Sequence, residues 1–365
     1  MKDERTIKEI HWINILKFIC IILIYLYHAE FYCGVGETTL QFFYLPFFTN
    51  SFFFVSGYLL LKKQLSAPLI LCDRSTWYYA EGGGISLLKN ILFKIAIPSV
   101  VFSTLIYFPK RILRGEGVDI YSMLHDTVLG GSLWFTCALV VAELLAFIVL
   151  FTRKKSVWWY VFAGILSVFL ANAISNTGLK MWESDKIPWQ YKSGLIAFFF
   201  LACGGLYKKY EAKIDIFLCG ESRSRATSTI AIMIFTWVGL TEILIIKGDY
   251  NLLRLLNQQL TTGHINVLSA IWAVFSILTL INICKSLKGS ELTSWVGRNS
   301  ITFYFFCGAL PNFFSIVYAK LIPLKSGNIM VMMVWVMSIA CAFGIVYLFS
   351  RYIPWMFDFR KIRNK

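Results

Sequence analysis

Charged side chains are scarce in this sequence: Asp, Glu, Lys and Arg make up 15% of its 365 residues, where soluble domains carry about 25%. Hydrophobic residues make up 58%, and the mean hydropathy is +0.65. So few charges cannot cover a soluble exterior, which excludes a water-soluble globular domain and predicts a polytopic membrane protein. Acids are the scarcer sign, 20 against 35 Lys and Arg. The net charge of +15 does not point to nucleic acid, because the basic residues fall in short clusters between apolar runs, as membrane topology requires. CxxC pairs are absent. The nine cysteines are odd in number, and most lie inside apolar runs (Cys20, Cys137, Cys203, Cys284, Cys307, Cys341), where a thiol behaves as a small hydrophobe. Neither a disulfide framework nor a metal site is expected. No small-residue cleavage site follows the first apolar run, so that span is expected to be retained. Fixed-period repeats are also absent, and the Gly82-Gly83-Gly84 run lacks the GxxxxGK[ST] pattern, so it reads as a flexible joint rather than a phosphate loop.

What the chain has is long apolar runs. With about 20 residues per crossing, ten spans are expected, near 12–33, 41–61, 87–108, 132–151, 157–175, 193–207, 228–247, 265–284, 299–320 and 328–350. The predicted fold is therefore all-α, one membrane-embedded domain over 1–365 with no separate soluble domain. With the N-terminus placed inside, the inner segments hold about 22 Lys and Arg and the outer loops about 10, so the positive-inside rule predicts that both termini are cytoplasmic. Asn251 to Thr262 reads as a short helix on the outer surface.

The run IHWINILKFICIILIYLYHAEFYC, residues 10–33, is long enough to cross a bilayer yet contains Asn14, Lys17 and His28. At 100° per residue, the 11 positions from Lys17 to His28 come to three turns plus about 20°, and Asn14 is three positions before Lys17, so the three share one helix face. A charge near mid-membrane costs about 2.5–3.5 kcal/mol on insertion scales, so this stripe should line a polar cavity or a partner helix. The alternative is that Lys17 snorkels to the headgroups and His28 is a hydrogen-bonded interface histidine. His28 has the near-neutral pKa that suits a general base acting on a hydroxyl. Lys17 lies about 16 Å away along the helix, toward the inner side. Glu30 and Glu143 are candidate orienting carboxylates, although two-residue spacing turns Glu30 away from His28. Lys89 and Lys94, before Pro98, could join Lys17 in receiving an anionic group or could be ordinary inner-flank charges. His125 and His264 fall in outer loops and read as solvated, and Trp134 and Trp295 read as packing or interface anchors.

The run WINILKFICIILIYLYH resembles the first-helix signature of the acyltransferase-3 family of membrane acyltransferases, in which a basic residue precedes a histidine by 11 positions, here Lys17 and His28. Four further blocks agree in order: PFFTNSFFFVSGYLL at 46–60, GSLWFTCALV at 131–140, IAFFFLACGGLYKKY at 196–210 and VGRNSITFYFF at 296–306. The sequence departs from the family pattern in four ways. Asn14 stands where an acid is common, Lys17 where arginine is common, Ile91 where a second arginine is expected, and Cys307 where histidine is common. The extracytoplasmic domain found in some longer relatives is not expected. The resemblance implies an O-acyltransferase of an inner membrane of bacterial type. It would take an acyl group, acetyl in the usual case, from cytoplasmic acyl-CoA and pass it to a hydroxyl of a cell-surface glycan or its lipid-linked precursor. On that reading His28 is the catalytic base, Lys17, Lys94 and Lys89 bind the CoA donor, no metal is needed, and the partners are the glycan acceptor and membrane lipids, with homo-oligomer formation left open. The rival reading is a transporter or flippase for a glycolipid or anionic metabolite, although two corresponding hydropathy halves with interrupted helices are not evident. A structural subunit of an envelope complex would leave the stripe without a purpose.

Overall fold

A bilayer core offers no water to pair with backbone groups, so an apolar chain must satisfy them internally, and every regular element described in this computed structural model is a helix. The structure describes residues 10–66, 84–128, 130, 133–152, 157–176, 188–219, 223–258, 260–321 and 327–357. The basic N-terminal segment, Gly82 and Gly83 of the glycine joint, and the basic C-terminal tail lie outside these residues.

In order, the helices are α1 (His11–Tyr32), α2 (Gln41–Tyr44), α3 (Asn50–Ser66), α4 (Gly84–Ile91), α5 (Ile97–Arg114), α6 (Ile120–Thr127), α7 (Trp134–Thr152) and α8 (Val157–Asn176). They continue with α9 (Tyr191–Cys219), α10 (Arg223–Ile246), α11 (Tyr250–Leu256), α12 (Val267–Ser286), α13 (Glu291–Arg298), α14 (Ser300–Phe306), α15 (Ala309–Leu321) and α16 (Gly327–Tyr352). Among the described residues, seven helical stretches are long and apolar enough to cross a membrane, and Asn50–Leu60 and Trp134–Val149 are shorter apolar helices. The chain is a multi-pass integral membrane protein.

Each of the ten expected runs is helical where described, but four differ in form, and the one at 193–207 is neither among the seven long apolar stretches nor among the two shorter ones. The run expected at 41–61 splits into α2 and α3. Pro46 stands in the turn between them, and its missing N–H and ring favour such a break. The run at 299–320 splits into α14 and α15 at Cys307 and Gly308, because Pro311 lacks an N–H and its ring crowds the carbonyl four residues back, that of Cys307. The run at 193–207 becomes the 29-residue α9, which continues through a charged segment. Between α4 and α5 one π-helical turn, Leu92–Ala96, precedes Pro98. Its wider ring absorbs the same proline clash at Lys94, so the proline itself sets the backbone on which Lys94 stands. The short helix expected within Asn251 to Thr262 is α11, and a separate 3-10 turn, Leu260–Thr262, follows it.

α1 is enclosed on nearly all sides, packed by α3, α12, α13, α14, α15 and α16. A second group gathers around α9, against which α3, α7 and α8 pack. The closest approach joins α3 and α9. A Cβ on Gly57 would overlap the carbonyl oxygen of Leu201, and one on Gly204 would overlap that of Phe54. Small residues let membrane helices reach this separation, where van der Waals contact replaces the missing hydrophobic drive. Gly297 of α13 plays the same part against α1, since a Cβ there would come within 2.6 Å of the Asn14 Cα.

Candidate active site

The two candidate residues of α1, Lys17 and His28, sit about three turns apart, in different surroundings. His28 forms part of the wall of a partly open cavity of about 460 Å³ lined by α1, α5, α6, α7, α14, α15 and α16. Tyr32, one turn on, stacks beside the imidazole with ring centres 6.1 Å apart, and Tyr27 meets it edge-on at 5.8 Å. Among the described residues His28 makes these ring contacts but no hydrogen bond. Opposite it stands the α14–α15 break, where a Cβ on Gly308 would lie 3.9 Å from both the imidazole Cε1 and the Tyr32 hydroxyl. Cys307 lines the same wall and is buried.

Other polar groups reach the cavity from several helices: Ser103 and Lys110 of α5, Asp126 of α6, Tyr304 of α14 and Asn312 of α15. Tyr304 is held in place because its hydroxyl accepts the Phe135 N–H at 3.2 Å, pairing one of the orphan donors at the start of α7. Gly115, at φ 67° in the left-handed region, ends α5 and lets the chain fold back into α6. There the Tyr107 hydroxyl donates to the Asp119 carbonyl at 3.1 Å, tying α6 to α5. Asp119 caps α6, and the Ser122 N–H and hydroxyl hold its carboxyl below the usual carboxylate range. Next in the chain to Asp126, His125 is 3.4 Å from its carboxylate.

Neither candidate carboxylate orients His28. Glu30 is buried with its carboxylate fully engaged, accepting from Thr38 at 2.8 Å, Gln41 at 3.1 Å and the Tyr44 hydroxyl. It fastens the turn after α1 to α2, in keeping with the spacing that turned it away. Glu143 lies within electrostatic reach of Tyr160 on α8 and is not part of the cavity wall. Trp295 packs as expected, stacked on Phe343 with ring centres 5.8 Å apart. Trp134 does more, because it lines the cavity.

At the other end of the stripe, Lys17 is partly buried and makes no hydrogen bond or ion pair among the described residues. One turn earlier, buried Asn14 has a side-chain Nδ2 with no partner. A lone ammonium beside an orphan amide donor is costly in an apolar setting unless a ligand completes it. Lys94, half-buried on the π turn, and exposed Lys89 belong to a segment that packs chiefly on α7.

Sequence reasoning missed a polar network at the Trp12 end of α1. Lys285 of α12 donates to Glu211 at 3.1 Å, to Asp215 at 2.7 Å and to the Tyr207 hydroxyl at 2.8 Å, and it sits 5.7 Å from the Trp12 ring. Tyr58 of α3 donates to Glu211 at 2.7 Å, and Lys208 donates to both Tyr58 and Glu211 at 2.9 Å. Charges of α9 and α12 thus meet the Tyr58 hydroxyl of α3 and the Trp12 ring of α1. In the sequence, the only sign was the three- and four-residue spacing of Lys208, Glu211 and Asp215; Lys285 enters only through tertiary packing. Lys285→Met should lower stability by about 1–3 kcal/mol, less than for a fully buried pair because the network is partly exposed. A reduced melting temperature of the purified protein, with a smaller loss for Lys285→Arg, checks this.

Comparison with curated proteins and with solved structures gave no match. The acyltransferase 3 family model, described as an acyltransferase domain, does match, and it covers residues 10–351. The helical stripe, the His28 cavity and this match over nearly the whole length lead to one conclusion: the chain belongs to the acyltransferase 3 family and is a membrane-bound enzyme that transfers an acyl group.

Proposed function

We propose that the protein takes an acyl group from cytoplasmic acyl-CoA and transfers it to a hydroxyl of a cell-surface glycan or of its lipid-linked precursor. In this reading the chain crosses a bacterial-type inner membrane ten times with both termini cytoplasmic, which puts Lys17 toward the donor side and His28 toward the acceptor side. The observation that carries the proposal is the division of α1 into a lone Lys17 with an orphan Asn14 amide at one end and an imidazole on a cavity wall at the other.

The chemistry follows from that division. The ammonium of Lys17 and the Asn14 amide would hold anionic and carbonyl groups of the CoA donor, with Lys94 a candidate for a second phosphate contact. His28 would accept the proton of the acceptor hydroxyl as its oxygen forms a bond to the thioester carbonyl carbon. The C–S bond then breaks, and the CoA thiolate leaves and takes up a proton. No metal is needed for any of these steps.

Binding of the donor tests the reading. A ligand at a hundredfold excess over its Kd stabilises the folded state by about 2.7 kcal/mol, so CoA should raise the melting temperature of the purified protein by several degrees. Lys17→Ala should remove most of that rise. An unchanged melting curve at millimolar CoA, with protein shown to be folded, would count against an acyl-CoA donor.

A further inference from the structure

The resemblance implies acetyl as the group transferred, but the cavity beside His28 is built for something larger. It runs along α5 from Lys110 to Phe102, eight residues or about 12 Å. Its polar groups are few against a mainly apolar lining: His28, Ser103, Lys110, Asp126, Tyr304 and Asn312. Around Phe102 the wall is mainly aromatic and hydrocarbon: Phe102 stacks on Phe305 with ring centres 4.5 Å apart, and Ile345 and Phe349 of α16 line the cavity too. A sugar placed there would leave its hydroxyls facing rings and methyls without partners. A hydrocarbon chain loses nothing by the move. A carbon of such a chain takes roughly the 30 Å³ share of a water molecule, so two carbons fill little of 460 Å³, whereas on the order of ten fill most of it.

We infer that the cavity is the acyl-chain pocket of the donor, and that the group transferred beside His28 is a medium-length acyl chain of on the order of ten carbons. This rests on the acyl-CoA reading above. The thioester carbonyl sits by His28, and the chain lies along α5 toward Phe102 and Phe349. On transfer the bonds formed and broken are those given for any acyl group.

The test compares CoA, acetyl-CoA, butanoyl-CoA, octanoyl-CoA and decanoyl-CoA binding to the purified protein in nanodiscs. Each buried methylene can contribute up to about fourfold, so octanoyl-CoA should bind at least about tenfold tighter than acetyl-CoA. Ser103→Phe, which fills the pocket, should shrink that ratio, and Ala309→Phe provides a second filling variant in case the first fails to fold. Equal binding of acetyl-CoA and octanoyl-CoA would overturn the pocket assignment while leaving the acyl-CoA donor intact. Binding of none of the thioesters, nor of CoA, would instead remove the donor reading itself. A chain-length gain that survives both filling variants would put the chain in the surrounding bilayer, against the inference. So would a co-purified lipid that is lost on filling while octanoyl-CoA gains nothing over acetyl-CoA, because the pocket would then hold a lipid tail.

Discussion

His28→Gln should lower acyl transfer by about two to four orders of magnitude while leaving the protein folded and able to bind CoA, the range usual for loss of a general base. Glutamine keeps a hydrogen-bonding side chain of similar reach but cannot accept the proton. The structure sharpens this expectation. A histidine kept for structure is normally satisfied by hydrogen bonds, yet half-buried His28 makes ring contacts with Tyr27 and Tyr32 and no hydrogen bond among the described residues. Its polar edge is therefore available to a ligand in the cavity it lines. Lys17 stands about 16 Å away on the same helix, so CoA-induced stabilisation should survive in His28→Gln and fall in Lys17→Ala. Turnover, KM for the acyl-CoA and the CoA-induced melting shift, measured on both variants, give the comparison; equal loss of CoA binding in both would mean that the two ends of α1 are not separate subsites.

Gly204→Val should sharply reduce the yield of folded protein. A Cβ at Gly204 overlaps the Phe54 carbonyl oxygen, and the reciprocal Gly57 position overlaps that of Leu201, so the obstacle on each side is backbone rather than a side chain that can turn away. Overpacking against movable neighbours typically costs about 1–3 kcal/mol; with two helix backbones fixed at once, the cost should exceed that range and reduce the monodisperse protein recovered in detergent by on the order of tenfold. Gly344→Ala on α16 is the contrast, because a Cβ there meets nothing within 4 Å. Wild-type recovery and melting temperature for Gly204→Val would contradict the observed seat of α3 on α9.

How much of this could be read from the sequence depended on whether the signal was local. The Lys17 to His28 stripe is a matter of helical period, and α1 is one unbroken helix from His11 to Tyr32, so the two residues lie where the spacing put them. Glu30 was turned away from His28 by the same arithmetic, and its partners Thr38, Gln41 and Tyr44 explain why an acid is tolerated there. The breaks were less legible, because hydropathy is blind to them. Pro311 signals the split at Cys307 and Gly308 only once the helix is known to continue on both sides, and that split is what brings backbone up to His28. The far wall of the cavity was not legible at all. Phe102, Phe305 and Phe349 come from three separate apolar runs, and nothing within any one run shows that their rings meet. Trp134 was read as an anchor for the same reason. The glycines of two of the sequence blocks, Gly57 and Gly204, were visible as a pattern, but the mutual approach of their helices that requires them is tertiary.

The central claim is that an acyl group leaves a CoA donor on the cytoplasmic side and becomes an ester on a glycan hydroxyl through His28. It is tested most directly by following two labels, one on the acyl carbonyl and one on the adenine of acyl-CoA, supplied to the cytoplasmic face of inverted membrane vesicles that contain the protein. The account predicts that the acyl label alone appears in the glycan or lipid-linked sugar fraction, in a form released by mild alkali. It also predicts that His28→Gln vesicles with equal protein lose this signal by at least a hundredfold. Movement of both labels together into the vesicle lumen, or acyl labelling of the sugar fraction that is undiminished in His28→Gln, would contradict it.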